Sequence, residues 1–224
     1  MEKKSQLGRT SLQVIALVTM LCDHIAYVFI SELQFPGLYY TMRIVGRIAF
    51  VLFSFMLVEG FLHTHNLQKY LLRIFIFALL SELPFDLALY HTAINPNGQN
   101  VMVTLFIALL VLAGMERFAA DPIMKAIILL AGCGAAAVLR TDYSYNGIIL
   151  IAIFYLLYEQ KVLLYLLLFL YFILWGGLET YATLALPFCM LYQPDKAEKP
   201  LPRFLCYGFY PVHLLVLWGI SYFI

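Results

Sequence analysis

The chain has 224 residues, of which 63% are apolar and only 12% charged, against roughly 25% charged in an ordinary soluble domain. With a mean hydropathy of +0.88 it carries more apolar surface than a water-soluble domain of this size can hide, and the same numbers exclude an intrinsically disordered chain. A formal net charge of +1 excludes a broad nucleic-acid surface.

Taken in chain order, the apolar runs predict nine membrane spans, at 11–31, 38–61, 69–90, 101–116, 122–139, 145–159, 162–178, 180–193 and 204–223. At about 20 residues per span, nine use about 180 residues and leave only short loops. The expectation is an all-α, polytopic membrane protein forming a single domain over 1–224. The first apolar run holds Asp23 and His24 and lacks a small-residue cleavage site, so it reads as a retained span rather than a signal peptide. Several spans are shorter than a full crossing and suit little tilt or a partly re-entrant path. The seventh and eighth are the least clearly divided, since only Gly176, Gly177 and Glu179 separate them. Pro84, Pro187 and Pro211 fall inside spans and are expected to kink them. No internal repeat is visible, which counts against an inverted-repeat transporter. Cys22, Cys133, Cys189 and Cys206 lie scattered in apolar stretches without a C-x-x-C pair, so neither a disulfide framework nor a zinc site is expected.

Basic residues set the orientation. Lys3, Lys4 and Arg9 precede the first span, and Lys69 and Arg73 lie at the turn after the second. Arg117 and Lys125 flank the turn after the fourth, Lys161 marks the one after the sixth, and Lys196, Lys199 and Arg203 precede the ninth. Nine spans put all of these on one side and only Arg140 on the other, so the N-terminus is expected in the cytoplasm and the C-terminus outside.

Ionisable residues inside spans are costly and mark function by default. The first span carries Asp23 and His24, the second Arg43, Arg47 and Glu59, the third Glu82 and Asp86, and the ninth His213. Asn100 and Thr104 open the fourth span, and Arg140, Asp142 and Tyr143 form the next turn on that side. Apart from Glu59, the first four spans and this turn thereby bring their polar groups to the outer half of the membrane, where one outward-facing polar cavity is expected. Arg43 and Arg47, four apart, share a helix face and call for anions, either Glu82 and Asp86 or a substrate phosphate or carboxylate. Asp23 and His24 are adjacent and so point about 100° apart on a helix, which leaves His24 to find its orienting partner elsewhere. Structural readings stand beside these. His24 suits a hydrogen-bond donor between helices, the arginines suit ion pairs that hold register at little net stability, and His213 suits packing or helix bridging. His63 and His65 suit a solvated basic turn, or contact with an anionic cytoplasmic ligand. No zinc constellation, phosphate-cradling glycine loop or serine elbow is present.

The ordered set Leu-Cys-Asp-His-Ile (21–25), Arg-Ile-Val-Gly-Arg-Ile-Ala-Phe (43–50), Val-Glu-Gly-Phe (58–61) with Thr64, and Ser-Glu-Leu-Pro-Phe-Asp (81–86) runs along the first half of the chain. Asn100 with Thr104, Thr-Asp-Tyr (141–143) with Gly147, and Phe-Tyr-Pro-Val-His-Leu (209–214) complete it. The set resembles the TraX family across nearly the whole chain. The resemblance implies an integral-membrane protein of the bacterial cytoplasmic membrane that acetylates the N-terminal amine of pilin subunits. It also implies kinship with membrane acyltransferases that take acyl groups from cytoplasmic acyl-CoA.

Acyl transfer to an amine needs a base, for which His24 is the candidate, either directly or as a transiently acetylated nucleophile. Arg47, Arg43, Asn100 or Thr104 suit the oxyanion donors. Glu82, Asp86 or Asp142 suit the partner of His24 or the holder of the acceptor ammonium. Asp23, Arg47 and Glu82 join His24 in the expected catalytic set, and Arg43, Asp86, Asn100, Thr104, Asp142 and Tyr143 in the substrate site. The anionic head of acetyl-CoA is expected at Lys69, Arg73, Lys199 and Arg203. No metal is expected. The expected partners are the bilayer, acetyl-CoA and a peptide, lipoprotein or glycan acceptor. A transporter using the same polar cavity, or a non-catalytic assembly component, are the competing classes.

Overall fold

The computed structural model describes residues 6–223, and leaves the Arg203 side chain undescribed. Lys3 and Lys4, part of the orientation argument, lie outside the described residues, as does the side chain of the expected donor-binding Arg203. The chain forms α1 (Arg9–Phe29), α2 (Pro36–Leu62), α3 (Leu67–Tyr90), α4 (Val101–Arg117), α5 (Pro122–Val138), α6 (Ser144–Leu156) and α7 (Lys161–Trp175). A 3-10 helix (Gly177–Ala185), α8 (Leu186–Met190) and α9 (Arg203–Phe223) follow. Among the described residues there is no strand, only two isolated bridges. The fold is therefore all-α. Helices α1 and α2 and the stretch Phe204–Phe223 are each long and apolar enough to cross a membrane, while α5, α6 and α7 are apolar but shorter. Large apolar side chains such as Val18, Leu79, Leu130, Val138, Leu166 and Leu174 stand more than half exposed, a surface suited to lipid and not to water.

Seven of the expected spans coincide with α1–α7 and the last with α9. The eighth does not. Residues 180–193 form no single membrane-length helix but most of the 3-10 helix followed by the five-residue α8. Gly176 and Gly177, at φ 79° and 58°, turn the chain out of α7 through the left-handed region, where a Cβ is disfavoured. Pro187 has no N–H to donate back into the preceding turn, so it sits where α8 restarts. Helices α3 and α9 run through Pro84 and Pro211.

The helices cluster into two compact units, Met1–Met56 with Tyr165–Ile224, and Leu57–Leu164. In the first, α1 packs on α9, and the core gathers Leu12 and Ala16 of α1, Val51, Leu52 and Phe55 of α2, Leu168 and Phe172 of α7, and Leu214 of α9. Phe55 meets Tyr192 edge-on, with ring centroids 5.2 Å apart, and the backbone of Leu7 is bridged to Leu191 and Gln193 at 2.9 and 2.8 Å. The N-terminus of α1 has only Gly8 as its cap residue, with no side chain to accept its free N–H groups. Glu198, from the loop before α9, supplies the missing acceptor. Its carboxylate takes the Gly8 and Ser11 N–H groups at 3.0 and 2.9 Å and the Ser11 hydroxyl at 2.5 Å. These bonds, led by that from the Ser11 hydroxyl, hold the Glu198 carboxyl down to about 2.

In the second unit α3, α4, α5 and α6 pack as a bundle around Leu105, Leu109, Leu112 and Met115 of α4 and Ile148, Ile151 and Phe154 of α6. A Cβ on Gly132 of α5 would come within 2.2 Å of Val111 Cγ2 on α4, so the glycine sets how closely those helices approach. Gln99 and Thr141 bridge the loops before α4 and α6, through Gln99 N–H to Arg140 at 3.1 Å and Asp142 N–H to Gln99 at 2.8 Å.

Candidate functional site

In the first unit α1 brings Asp23 and α2 brings Arg43 and Arg47, one turn apart. Arg43 Nη1 donates to Asp23 Oδ2 at 2.8 Å. Arg47 Nη2 reaches both Asp23 oxygens at 2.9 Å, and its Nη1 donates to Glu179 Oε1 of the 3-10 helix at 2.7 Å. Asp23 is 8% and Arg47 7% exposed, so these are charge-assisted bonds in a low-dielectric setting. Two guanidinium groups face two carboxylates, and the cluster is formally neutral. Within this unit the anions that these arginines meet are Asp23 and Glu179; Glu82 and Asp86, the anions offered from spacing, belong to the other unit. Helix spacing identifies the shared face but not which helix lies opposite it. Glu179 was legible only as a lone acid between two apolar runs.

Gly46 explains how the carboxylate lies so close to α2. A Cβ there would sit 2.2 Å from Asp23 Oδ1 and 2.3 Å from Asp23 Cβ. Arg43 also stands over the rings of Tyr27 and Tyr39, at 5.3 and 6.0 Å. Its Nε is buried with no partner among the described residues.

With Asp23 turned onto α2, the neighbouring His24 is directed elsewhere, to α9. His24 Nδ1 lies 2.7 Å from His213 Nε2, and the two rings stack with centroids 4.9 Å apart. His213 Nδ1 lies 2.7 Å from the Phe209 carbonyl oxygen. His24 Nε2 has no hydrogen-bond partner among the described residues.

The other polar groups form a separate set of bonds inside the second unit. Asn100 caps α4, accepting the Met102 N–H at 2.9 Å, and donates from Nδ2 to the Ala78 carbonyl at 2.9 Å and to Glu82 Oε2. The Asn100 N–H also reaches Glu82 Oε2, at 3.3 Å. Asp86 Oδ2 accepts the Asn95 N–H at 2.8 Å. The Thr104 hydroxyl donates to the Asp142 carbonyl, and Asp142 Oδ1 accepts the Tyr143 N–H at 3.1 Å. Tyr143 takes a left-handed φ of 62° before α6. Glu82 and Asn100 are thus brought together, as are Thr104, Asp142 and Tyr143. The two polar sets are each described within their own unit.

Of the basic residues expected to meet the donor, Lys69 is exposed one turn before Arg73 on α3. Arg73 stands over Tyr70 at 5.7 Å and has a buried Nε with no partner among the described residues. Neither pairs with a carboxylate among the described residues. Lys199 is exposed in the loop before α9, and its carbonyl accepts the Thr10 hydroxyl at 3.0 Å. His63 faces buried Glu59, 3.6 Å from Oε2, and Glu59 also accepts the Tyr158 hydroxyl. Among the described residues no three His, Cys, Asp or Glu side chains are grouped to hold a metal.

A family profile described as "TraX protein" matches residues 8–221. The "Probable fimbrial assembly protein FimC, serogroup H1" of Dichelobacter nodosus is 28% identical over 248 aligned positions, with all of both chains covered. No solved structure matches the chain.

Proposed function

The chain belongs to the TraX family, and on that premise we propose that it is a membrane acetyltransferase. It moves an acetyl group from cytoplasmic acetyl-CoA to an acceptor at the outer side of the membrane. The acceptor class is the N-terminal amine of a peptide such as a pilin, with a lipoprotein amine or a glycan group as alternatives. The fimbrial assembly name of the relative from Dichelobacter nodosus supports a pilin-like acceptor. The proposed topology is nine membrane segments with a cytoplasmic N-terminus. The eighth segment is the 3-10 helix with α8, which starts beside Arg47 and ends where Tyr192 meets Phe55.

The observation that carries the reading is His24 Nε2, a ring nitrogen without a partner among the described residues, on a histidine whose Nδ1 is engaged. In the proposed step the acceptor nitrogen attacks the thioester carbonyl while His24 Nε2 takes its proton. The tetrahedral oxyanion needs donors. Arg43 has N–H groups left for it, since among the described residues only its Nη1 is used, on Asp23. The C–S bond then breaks, and the thiolate leaves with the proton held on His24. The products are an N-acetylated acceptor and CoA.

Asp23 and Arg47 take a positioning role in this scheme. Their paired bonds lock one face of α1 onto α2, and the roughly 100° between successive residues then directs His24 away from α2. Removing one member of such a buried pair leaves an uncompensated charge, at a cost of about 3–5 kcal/mol. Lys69 and Arg73 suit the phosphates of acetyl-CoA, being one turn apart and free of carboxylate partners among the described residues.

The test is binding of acetyl-CoA and CoA to the purified, detergent-solubilised protein by calorimetry, with Lys69→Ala and Arg73→Ala alongside. Micromolar binding weakened by both changes supports the reading. A folded sample that binds neither compound removes it and favours a transport role for the polar residues.

A further inference from the structure

The hydrogen-bond chain that ends on His24 begins at a backbone carbonyl, and that fixes more than distance. The Phe209 carbonyl oxygen can only accept, so His213 Nδ1, 2.7 Å away, must carry a hydrogen and donate. A neutral imidazole has one N–H, so His213 Nε2 is then a lone pair. His24 Nδ1, 2.7 Å from that lone pair, must in turn be the donor. The hydrogen of neutral His24 therefore sits on Nδ1 and the lone pair on Nε2. The network of acceptors thus fixes the place of each hydrogen. The neutral histidine side chain in water prefers the opposite tautomer, with hydrogen on Nε2, in which that nitrogen of His24 could not act as a base.

We propose that His213 is a positioning residue for acyl transfer, which holds His24 in the tautomer that presents Nε2 as a base. This rests on the acetyltransferase reading. His213 is buried, and it stacks on Phe209 at 5.0 Å as well as on His24, so its ring is held in place by its own helix. When His24 Nε2 takes the proton of the acceptor, the imidazolium donates its Nδ1–H to His213 Nε2. The bond becomes charge-assisted at the stage when the charge has to be held. His213 accepts a hydrogen bond but gains no proton, and the proton leaves again from His24 Nε2. The arrangement performs the orienting task that a carboxylate serves in the serine triad, with a neutral ring as acceptor. Asp23, the carboxylate next in sequence, is taken up by the two arginines.

The test uses the full-length detergent-solubilised protein with ring-15N histidine labelling, comparing native protein with His213→Gln and His213→Leu. Gln keeps an acceptor near the place of Nε2; Leu keeps volume only. The native His24 is expected to show the Nδ1–H tautomer by its ring 15N shifts, and His213→Gln to keep it. His213→Leu is expected to revert to the Nε2–H form. The acetyl-transfer kcat of His213→Leu should fall about 100-fold, the lower range of general-base contributions, with KM for acetyl-CoA unchanged and with His213→Gln restoring most of the rate. An Nε2–H tautomer in the native protein overturns the proposal, as does equal kcat for the Gln and Leu variants. The tautomer readout needs no turnover. An Nδ1–H tautomer in a protein that transfers no acetyl group would leave the geometry in place and remove the acetyltransferase reading instead.

Discussion

Gly46→Ala adds one methyl group to α2, and helix propensity alone would make it stabilising by about 1 kcal/mol. The structure reverses that sign. The new Cβ would lie 2.2 Å from Asp23 Oδ1, 2.3 Å from Asp23 Cβ and 2.5 Å from Asp23 Cγ. Because Asp23 Cβ is itself in the way, rotating the carboxylate does not relieve the overlap. Helix α1 has to move off α2, and the bonds from Arg43 and Arg47 at 2.8 and 2.9 Å are stretched or broken. Breaking a buried pair costs about 3–5 kcal/mol, so after the propensity gain the net loss is about 2–4 kcal/mol. For a chain of this size that lowers the thermal midpoint by about 5–15 °C. The assay is thermal unfolding in detergent followed by intrinsic fluorescence. Gly219→Ala on α9 is the control, since a Cβ there meets nothing within 4 Å; it is expected to leave the midpoint unchanged or raise it. A Gly46→Ala protein as stable as the native one would refute the claim that Gly46 makes room for Asp23.

Arg47→Lys keeps the charge but not the fork, and an ammonium cannot hold both Asp23 oxygens and Glu179 as the guanidinium does; a midpoint loss comparable to that of Gly46→Ala is expected. Glu198→Gln should cost about 1 kcal/mol through the weakened cap on α1, read as a lower thermal midpoint at pH 7. Because the folded carboxyl of Glu198 is depressed from 4.5 to about 2, its contribution is complete above about pH 4.5 and is lost as pH falls toward 2. The native midpoint should therefore drop more steeply than that of Glu198→Gln in acid, and parallel acid limbs would contradict the capping role.

Most of the helical fold was legible in the sequence because apolar runs long enough to form buried or lipid-facing helices leave few other options. The failure at 180–193 has a local cause. The stretch still reads as an apolar run, and hydropathy does not distinguish a 3-10 helix from an α-helix; the left-handed pair Gly176 and Gly177, with Glu179 and Pro187, marked the change. At the site, the residue types were legible and their partners were not. Asp23 and His24 were correctly expected to diverge, since that follows from helix geometry. His213, 189 residues further along, supplies the bond to His24, a pairing no local spacing encodes. The role of Glu179, and Glu198 altogether, escaped notice for the same reason. Each is a single acid in a connecting segment whose role is defined by a helix distant in sequence, Arg47 of α2 in one case and the uncapped start of α1 in the other.

The central claim is that His24 is the base of an acetyl transfer. Its most direct test measures transfer of labelled acetyl from acetyl-CoA to a short peptide with a free N-terminal amine, using purified native protein and His24→Ala. The account predicts acetylated peptide from the native protein and, from a His24→Ala protein of unchanged fold, a rate lower by about 100-fold or more. An undiminished rate from His24→Ala would contradict it.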